Sequence, residues 1–447
     1  MTTETKPLCV IRAPCATRSG YGDMSRDIIR HIIEYDKFDV KIHSVNWGDT
    51  PMNALDQNNP KDNMIIERMI TGPLTRQPDL FISITVPNEF EPHGKYNIGI
   101  TAGIETTAAA APWIEGCNRM DAVFAISEHS VNVLKLSKYG YQSAPNAPQQ
   151  ILELTKPIEV LHNCIDTKVF GKNAPTDKQL TEVLNDIPEE FCYLFVGHWL
   201  RGDFGEDRKN VGFLVRTFFE TFKQINNKPK PALILKTSSA GFSILDREEI
   251  LNKINMIRSA VQLEEGQSLP NVYILHGELT EQEMNTLYNH SKVKVHVSFT
   301  KGEGFGRPLL EASVSGKPVI ASGWSGHLDF LGKDTAVLVG GQLTNVHESA
   351  AWENVILKEA KWFSADPQQA VNALAVTFME YAKFKQLGYD LALKNKKMFS
   401  YEAIRKKTWE LLDKYVPEFP KQVPIVLPKL KKIELPKLKK AEEAKSE

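Results

Sequence analysis

Short β-branched runs alternate with stretches of helical period, twice over, along residues 8–322, and that alternation leaves few folds open. The first half carries LCVIRAP (8–14), DVKIHSV (39–45), DLFISITV (79–86), YNIGIT (96–101) and DAVFAIS (121–127). IEVLHNCIDTKVF (158–170) reads as one more strand running into a turn. Between the first two runs, DMSRDIIRHIIEY puts Ile28, Ile29, Ile32 and Ile33 on one side, the stripe of a helix lying on a sheet. SEHSVNVLKLSKYG (127–140) reads as a helix with a capping start, Ser127 then Ser130, and a glycine stop at Gly140. The second half repeats the plan with FCYLFVGH (191–198), ALILKTS (232–238), NVYILHG (271–277), VKVHVSF (293–299) and KPVIAS (317–322). Its first helix, 208–225, sets Val211, Leu214, Val215, Phe218 and Phe222 at helical spacing. Strands joined through helices imply right-handed crossovers and parallel sheets. The expected fold class is α/β, with two facing, Rossmann-like, doubly wound domains and ligands in the cleft at the carboxyl ends of the strands.

At 447 residues the chain exceeds one ordinary core. Residues 1–170 and 171–395 are the expected domains, with GKNAPTDKQLTEVLNDIPEE (171–190) as the passage between them. A helix over 396–415 is expected to pack back on the first domain. Residues 416–447 hold five prolines, eight lysines, five glutamates and a repeated PKLKK, which predicts an extended, mobile, mildly basic tail. Its role is either solubilising or a tether to an acidic partner. The formal net charge of −1 excludes a polycation built to coat nucleic acid or membrane. Cys9, Cys15, Cys117, Cys164 and Cys192 form no CxxC pair and no zinc spacing, so free thiols in a reducing compartment are expected. With a polar N-terminus and no apolar run long enough to span a bilayer, a cytoplasmic location and no transmembrane segment are expected.

The stretch HVSFTKGEGFGRPLLEASVSGKPVIASGWSG (296–326) carries two glutamates, Glu303 and Glu311, around a glycine-rich turn. Pro308 fits the first position of a helix, with Glu311 in its first turn and Gly316 as its stop. Gly302, Gly304 and Gly306 permit close approach of a ligand to the backbone, and unpaired N–H groups at a helix mouth suit a phosphate or diphosphate. A carboxylate accepts two hydrogen bonds side by side, as vicinal hydroxyls offer them. One carboxylate on a sugar and one on a ribose, with phosphates between, is the outline of a nucleotide-sugar. The alternative is that Glu311 is only a favourable helix-start acid and Glu303 a solvated loop charge.

EGFGRPLLE resembles the E-x7-E motif of retaining glycosyltransferases of GT-B fold, the large family 4 in particular. ASVSGKPVIASGWSGHLDFL is similar to that family's continuation, VLHNCIDTKVF to its interdomain segment, with Cys164 where glycine is usual, and TRSGYGDMSRDI to the loop opening its N-terminal domain. NVYILHGELTEQEMNTLYNHSKVKVHVSF resembles the strand–helix–strand before the motif, and RKNVGFLVRTF the lysine-bearing segment of the second domain. Together these cover most of residues 8–415.

The resemblance implies a first domain that holds the acceptor and a second that holds the donor, a nucleotide-sugar, with a UDP-sugar expected. It implies that Glu303 holds hydroxyls of the donor sugar and Glu311 the ribose, while Gly304, Phe305 and Gly306 offer amides to the distal phosphate. Lys209 would neutralise the diphosphate as it leaves. Gly20 would let the first domain's loop approach the donor, with Ser19 and Tyr21 beside it. No cofactor and no metal are expected, since cations and a helix end take the metal's place. In a retaining transfer the departing phosphate oxygen can take the acceptor's proton, so neither glutamate need be a nucleophile, unlike the paired carboxylates of retaining glycosidases.

The chain departs from the family in three places. Where Gly-Arg often follows the second domain's first strand, Gly197 and His198 stand, leaving Arg201 or Arg208 to supply the charge, and WLRGDFGED resembles an insertion before Lys209. ITAGIETTAAAAPW lacks the histidine that many relatives place near the sugar's 6-hydroxyl and has Glu105 instead, compatible with a hexose or with a pentose donor. ILKTSSAG replaces a glycine-rich strand end, and Lys236 either reaches the cleft or is a surface lysine.

His162, His276, His296 and His327 read as structural rather than catalytic, with His327 beside the cleft and, with Glu105, on the acceptor side. Phe218, Phe219 and Phe222 read as core, and Trp199 and Trp324 as candidates for stacking. The acceptor is a glycan, a lipid or DNA. SGYGDMSRDI and GIETTAAAAPWIEGCNRMDAVFAISEHS are loosely similar to glycosyltransferases of tailed phages, some of which modify hydroxymethylated cytosine, and a phage origin would place the protein in host cytoplasm. The rivals are a GT-B-like epimerase or hydrolase and a binding protein without catalysis. Oligomeric state is not legible.

Overall fold

The computed structural model describes residues 6–142, 148–225, 228–239 and 243–420. The expected tail therefore lies outside the described residues from 421 onward. In the first half, β1 (Leu8–Ala13), α1 (Gly20–Tyr35), β2 (Asp39–Ser44), α2 (Pro60–Ile66), β3 (Leu80–Ile84), β4 (Tyr96–Thr101), α3 (Ala111–Arg119) and β5 (Ala122–Ala125) follow in order. Then come α4 (Glu128–Leu136), the short strands β6 (Tyr139–Tyr141) and β7 (Gln150–Leu152), and β8 (Ile158–Val160). The second half holds α5 (Lys178–Asn185), β9 (Cys192–Val196), α6 (Val211–Phe222), β10 (Ala232–Lys236), α7 (Ile244–Ala260), β11 (Val272–Leu275), α8 (Glu281–Asn289) and β12 (Val293–Ser298). It continues with α9 (Arg307–Ser313), β13 (Val319–Ser322), β14 (Val337–Val339), β15 (Gly341–Asn345), β16 (Lys361–Ala365), α10 (Pro367–Met379), α11 (Tyr381–Met398) and α12 (Tyr401–Tyr415).

Two six-stranded parallel sheets result, ordered β2-β1-β3-β4-β5-β8 and β11-β10-β9-β12-β13-β14. Central strands such as β3 are buried along their whole length, as expected when helices cover both faces. The second order reverses direction between β9 and β12, and the first between β1 and β3. At such a switch point the loops leaving neighbouring strands diverge and open a crevice at their carboxyl ends. Ile28, Ile29 and Ile32 are buried against the first sheet, and Phe218, Phe219 and Phe222 against the second.

Every strand expected from the apolar runs is present, the one at 158 being confined to Ile158–Val160. Some local readings differ. The helix begun by Ser127, whose Oγ accepts from Ser130 N at 3.1 Å, ends at Leu136 rather than at Gly140, which lies in β6. Ser137 ends it instead: its Oγ donates to Val133 O (2.8 Å) and accepts from Ala109 N (2.9 Å). The polar passage 171–190 contains α5, capped by Asp177 and tied to α8 where Asp177 N donates to Thr286 Oγ1 at 2.6 Å. The antiparallel hairpin β15–β16, inserted after the edge strand β14, has no forerunner in the sequence reading.

The chain crosses between the domains twice, side by side. Ile165 N donates to Phe399 O (2.8 Å) and Tyr401 N to Ile165 O (3.0 Å). Beyond the second crossing α12 lies on α1. His31, fully buried, faces Thr408 Oγ1 at 3.1 Å, and Trp409 Nε1 donates to His31 O at 2.7 Å. The Thr408 hydroxyl gives its proton to Ile404 O (2.9 Å), so the imidazole Nδ1 is the donor to Thr408. Nε2 is buried with no hydrogen-bond partner among the described residues. Among the described residues no helix is long and apolar enough to cross a membrane.

Burial holds the His31 pKa down, from 6.5 to about 4. The unfolded chain therefore binds a proton that the folded one refuses between those values. Stability from this site is full above pH 6.5 and is lost as pH falls toward 4, by about 3 kcal/mol at most. Thermal unfolding from pH 7 to pH 4 should fall less steeply in His31→Gln than in the parent. An unchanged slope would show that the ring is charged in the folded state.

Candidate active site

The loops leaving β9 and β12 flank the second sheet's switch point, and each delivers one part of a buried ion cluster. Arg208 O accepts from Lys301 N (2.8 Å) and Thr300 Oγ1 (3.2 Å), which pins the Arg208–Lys209 pair to the end of β12. Asn210, at φ 56°, takes the left-handed turn that starts α6. The stem of Lys209 runs beside Gly197, where an added Cβ would lie 3.5 Å from Lys209 Cδ and Cε. Lys209 Nζ then reaches Glu303 Oε1 at 2.5 Å, and Arg208 Nη1 reaches Glu303 Oε2 at 3.2 Å and Gly302 O at 3.1 Å. Glu303 is 6% exposed, so it is no solvated loop charge. Its backbone is clamped from both sides: its N donates to Ser325 Oγ (2.9 Å), and its O accepts from Gly326 N (3.0 Å). Ser325 holds φ 83°, unfavourable for a residue with a Cβ, so local strain sits at the cluster.

Burial alone would raise the Glu303 pKa, but the Lys209 and Arg208 charges outweigh it and hold it at about 2. Burial lowers the Lys209 pKa, and the neighbouring Arg208 lowers it further against the pull of Glu303. Glu105, from the first domain, stands 3.7 Å from Arg208 and balances the second cation.

The glycine loop itself is in contact with the opposite domain. A Cβ on Gly302 would lie 1.9 Å from Glu105 O, and one on Gly304 would lie 2.4 Å from Ala102 O. These two glycines are thus required by the facing backbone of residues 102–105. Gly306 is needed for a different reason, its φ of 91°. The amides of Gly304, Phe305 and Gly306 donate to no group among the described residues. The Phe305 ring is core, packed on Phe330.

Pro308 occupies the second, not the first, position of α9, and Glu311 falls beyond the first turn. Glu311 accepts from Arg307 Nε and Tyr288 OH, each at 3.1 Å, so it is not a free helix-start acid. Arg307 also crosses the seam to Asp27 Oδ2 of α1 at 3.0 Å. Burial, reinforced by Asp23, raises the Glu311 pKa to about 7 against the opposing Arg307.

The remaining expected residues divide into those at the cluster and those held elsewhere. Gly20 opens α1 with nothing within 4 Å of an added Cβ; the glycine that sterics demand is Gly22, in the first turn of α1, whose Cβ would lie 2.2 Å from Thr17 O. Ser19 caps α1 through Gly22 N (3.0 Å). Tyr21 OH is fixed by Thr101 Oγ1 (2.9 Å) and Ala102 N (3.0 Å), and its ring lies on Trp47. Arg201 stands over the Trp352 ring at 5.5 Å, leaving Arg208 as the arginine at Glu303. His198 Nδ1 faces Ser238 Oγ at 3.0 Å, and Lys236 Nζ donates to Gly277 O at 2.6 Å. His327 is wholly buried beneath Gly306, with Nε2 2.7 Å from Ser322 O. His162 pairs with Asp329 across the seam (2.9 Å), His276 with Asp246 (2.6 Å), and His296 is buried against Ser315. Trp199 is in the core, and Trp324 lies parallel to Phe363.

Sequence reasoning missed Arg307, Asp27, Tyr288 and His129. The i,i+4 spacing of Arg307 and Glu311 was a usable signal; the contacts of Asp27 and Tyr288 exist only in three dimensions. His129, at the start of α4, meets Trp324 edge-on, and its buried Nε2 has no hydrogen-bond partner among the described residues.

This arrangement of two facing doubly wound domains is the GT-B fold. The solved sucrose-phosphate synthase of Thermosynechococcus elongatus aligns at TM-score 0.59 and 16% identity, covering 92% of this chain and 98% of its own. Anabaena HepE in complex with UDP-glucose aligns at 0.56 and 13%, covering 91% and 100%. A glycosyltransferase from Rickettsia africae ESF-5 aligns at 0.54 and 12%, covering 92% and 99%. Residues 260–356, which include the Glu303–Glu311 segment, match the family described as glycosyl transferases group 1. No curated protein matches the chain. The family match and the fold together support a GT-B glycosyltransferase.

The close approach at the seam gives a test of the site's architecture. Gly302→Ala and Gly304→Ala should each destabilise the protein by about 1–3 kcal/mol, because backbone must move to admit the methyl group. Gly20→Ala should leave the melting temperature unchanged. Parent-like melting of the first two variants would mean that the loops do not meet.

Proposed function

We propose that the protein is a retaining glycosyltransferase that moves a sugar from a nucleotide-diphosphate-sugar, a UDP-sugar, to a hydroxyl acceptor without a metal. The observation that carries this reading is the cluster of Lys209 and Arg208 on buried Glu303, one residue before a loop with unpaired amides. A leaving diphosphate needs preorganised positive charge in a site shielded from water. Lys209 and Arg208 supply it, and the amides of Gly304, Phe305 and Gly306 meet the distal phosphate. The diphosphate would then satisfy the two cations, releasing Glu303 to accept hydrogen bonds from the sugar's hydroxyls. Glu311 would accept from the ribose in place of Tyr288. Gly20, with open space around it, lets the first domain's loop approach the donor from the other wall.

The chemistry balances without a protein base. The bond between the anomeric carbon and the phosphate oxygen breaks, and the acceptor oxygen bonds to that carbon on the same face. The acceptor's proton passes to the departing phosphate oxygen. Glu303 holds its charge far below neutral pH and is tied to two cations, which fits it for binding rather than proton transfer. The UDP-glucose complex of HepE supports the choice of donor for the first experiments.

Thermal stabilisation by UDP and by UDP-glucose tests the assignment. Lys209→Ala should weaken UDP binding by about ten- to a hundredfold, the value of one charge-assisted hydrogen bond. Glu311→Ala should abolish stabilisation by the nucleotide. If both variants bind the donor like the parent, the site is elsewhere. Consumption of UDP-glucose without any acceptor would point instead to a hydrolase or epimerase.

A further inference from the structure

Two segments of the second domain, the loop 199–207 and the stretch 341–365 that carries β15 and β16, stand beside the ion cluster, where Phe363 N donates to Lys301 O at 2.8 Å. They are fastened to one another. Asp203 N donates to Ser349 Oγ at 2.9 Å, and Arg201 Nη1 donates to Ala351 O at 3.4 Å while its guanidinium covers one face of Trp352. Phe204 is seated beside Gly212, whose absent side chain leaves room for the ring: a Cβ there would lie 3.1 Å from Phe204 Cε2. Two aromatic rings are therefore held in place, yet Phe204 is 56% and Trp352 53% exposed. A soluble protein that anchors large rings and leaves them wet marks a contact surface.

The surface is continuous with the proposed donor site. The loop runs directly into Arg208 and Lys209. Lys301, two residues before Glu303, pairs with Glu206 of the loop (3.3 Å) and lies over Trp362 of the hairpin. Lys361 of β16 exchanges hydrogen bonds with Thr107, N to Oγ1 and O to N, each 2.9 Å, just beyond Glu105. The two segments that carry the rings thus border the seam at Lys301 and Thr107.

Charge selects the occupant. The two segments, 199–207 and 341–361, carry three basic residues against six acidic ones, of which Asp207 alone is buried. A duplex nucleic acid needs an excess of cations to displace its counterions, and this surface lacks one. A neutral saccharide has the complementary chemistry: its C–H faces stack on aromatic rings, and its hydroxyls donate to carboxylates such as Asp203 and Glu353. We infer that Phe204 and Trp352 form a platform for a saccharide acceptor. This rests on the transferase reading above, and it names the acceptor as carbohydrate rather than DNA.

The full chain, with UDP present, is applied to a glycan array and to a duplex oligonucleotide carrying 5-hydroxymethylcytosine. The parent should retain saccharides, and Phe204→Ala and Trp352→Ala should lose that binding at least tenfold, with Trp352→Tyr restoring it. Stabilisation by UDP-glucose should be unchanged in all three variants, since neither ring touches the ion cluster. Failure of the parent to retain any saccharide, retention unaffected by both alanine variants, or preference for the oligonucleotide would overturn the platform. Failure of UDP-glucose to stabilise the parent would instead overturn the donor reading, and the array still decides the platform.

Discussion

A carboxylate buried between two cations is the constraint around which this seam is organised. Glu303 cannot be left alone: removing one partner of a buried ion pair costs about 3–5 kcal/mol. Its neighbours must therefore be held in place by backbone. The left-handed turn at Asn210, the hydrogen bonds from Lys301 and Thr300 to Arg208 O, and the clamp by Ser325 and Gly326 all serve that placement. The sheet order explains why these segments meet, since the strands that deliver them, β9 and β12, adjoin where the order reverses.

The second constraint is the closeness of the two domains. With the facing carbonyls of Ala102 and Glu105 against Gly304 and Gly302, and Arg307 bonded to Asp27, the described conformation is closed over the cluster. A diphosphate must come between these surfaces, so donor binding on the proposed reading requires the domains to part and close again. The paired crossings at Ile165 and Phe399–Tyr401 are the covalent links about which such a motion would turn. Arg307 makes the closure sensitive to Glu311, because one guanidinium serves both the opposite domain and that carboxylate.

Much of this was legible in the sequence, for identifiable reasons. Parallel strands buried on both faces read as continuous apolar runs, and helices on them show a one-sided stripe, so β1, β3, β9 and α1 could be found from pattern alone. The Glu303–Glu311 segment was legible because glycines, proline and acids at fixed offsets have local meaning. The pairing of Lys209 with Glu303 across 94 residues has no local signature, and the family resemblance implies a role for each residue but not the contact between them. In the sequence, the glycines at 302 and 304 suggest room for a ligand, whereas they also make room for the opposite domain; composition cannot tell one neighbour from another. The β15–β16 hairpin escaped because its strands are mostly exposed on one member and end in a polar, irregular loop. Gly140 was misread as a helix stop because a serine three residues earlier does that work through its side chain.

On the proposed reading, the cluster also bears on how the donor is kept from being spent on water. In the closed form both cations are neutralised by Glu303 and, at longer range, by Glu105. Neither is available to draw an anion until Glu303 changes partner. A diphosphate can displace that carboxylate because it offers several acceptor oxygens at once, and charge-assisted hydrogen bonds to them recover the energy lost at Glu303. The freed carboxylate then needs donors of its own in a site that closure has dried, and the hydroxyls of the bound sugar are the donors at hand. On the proposed reading, binding of phosphate and of sugar is coupled through a single residue. A nucleoside diphosphate without its sugar would leave Glu303 buried and unsatisfied, so on this reading the closed state favours the intact donor over the spent one.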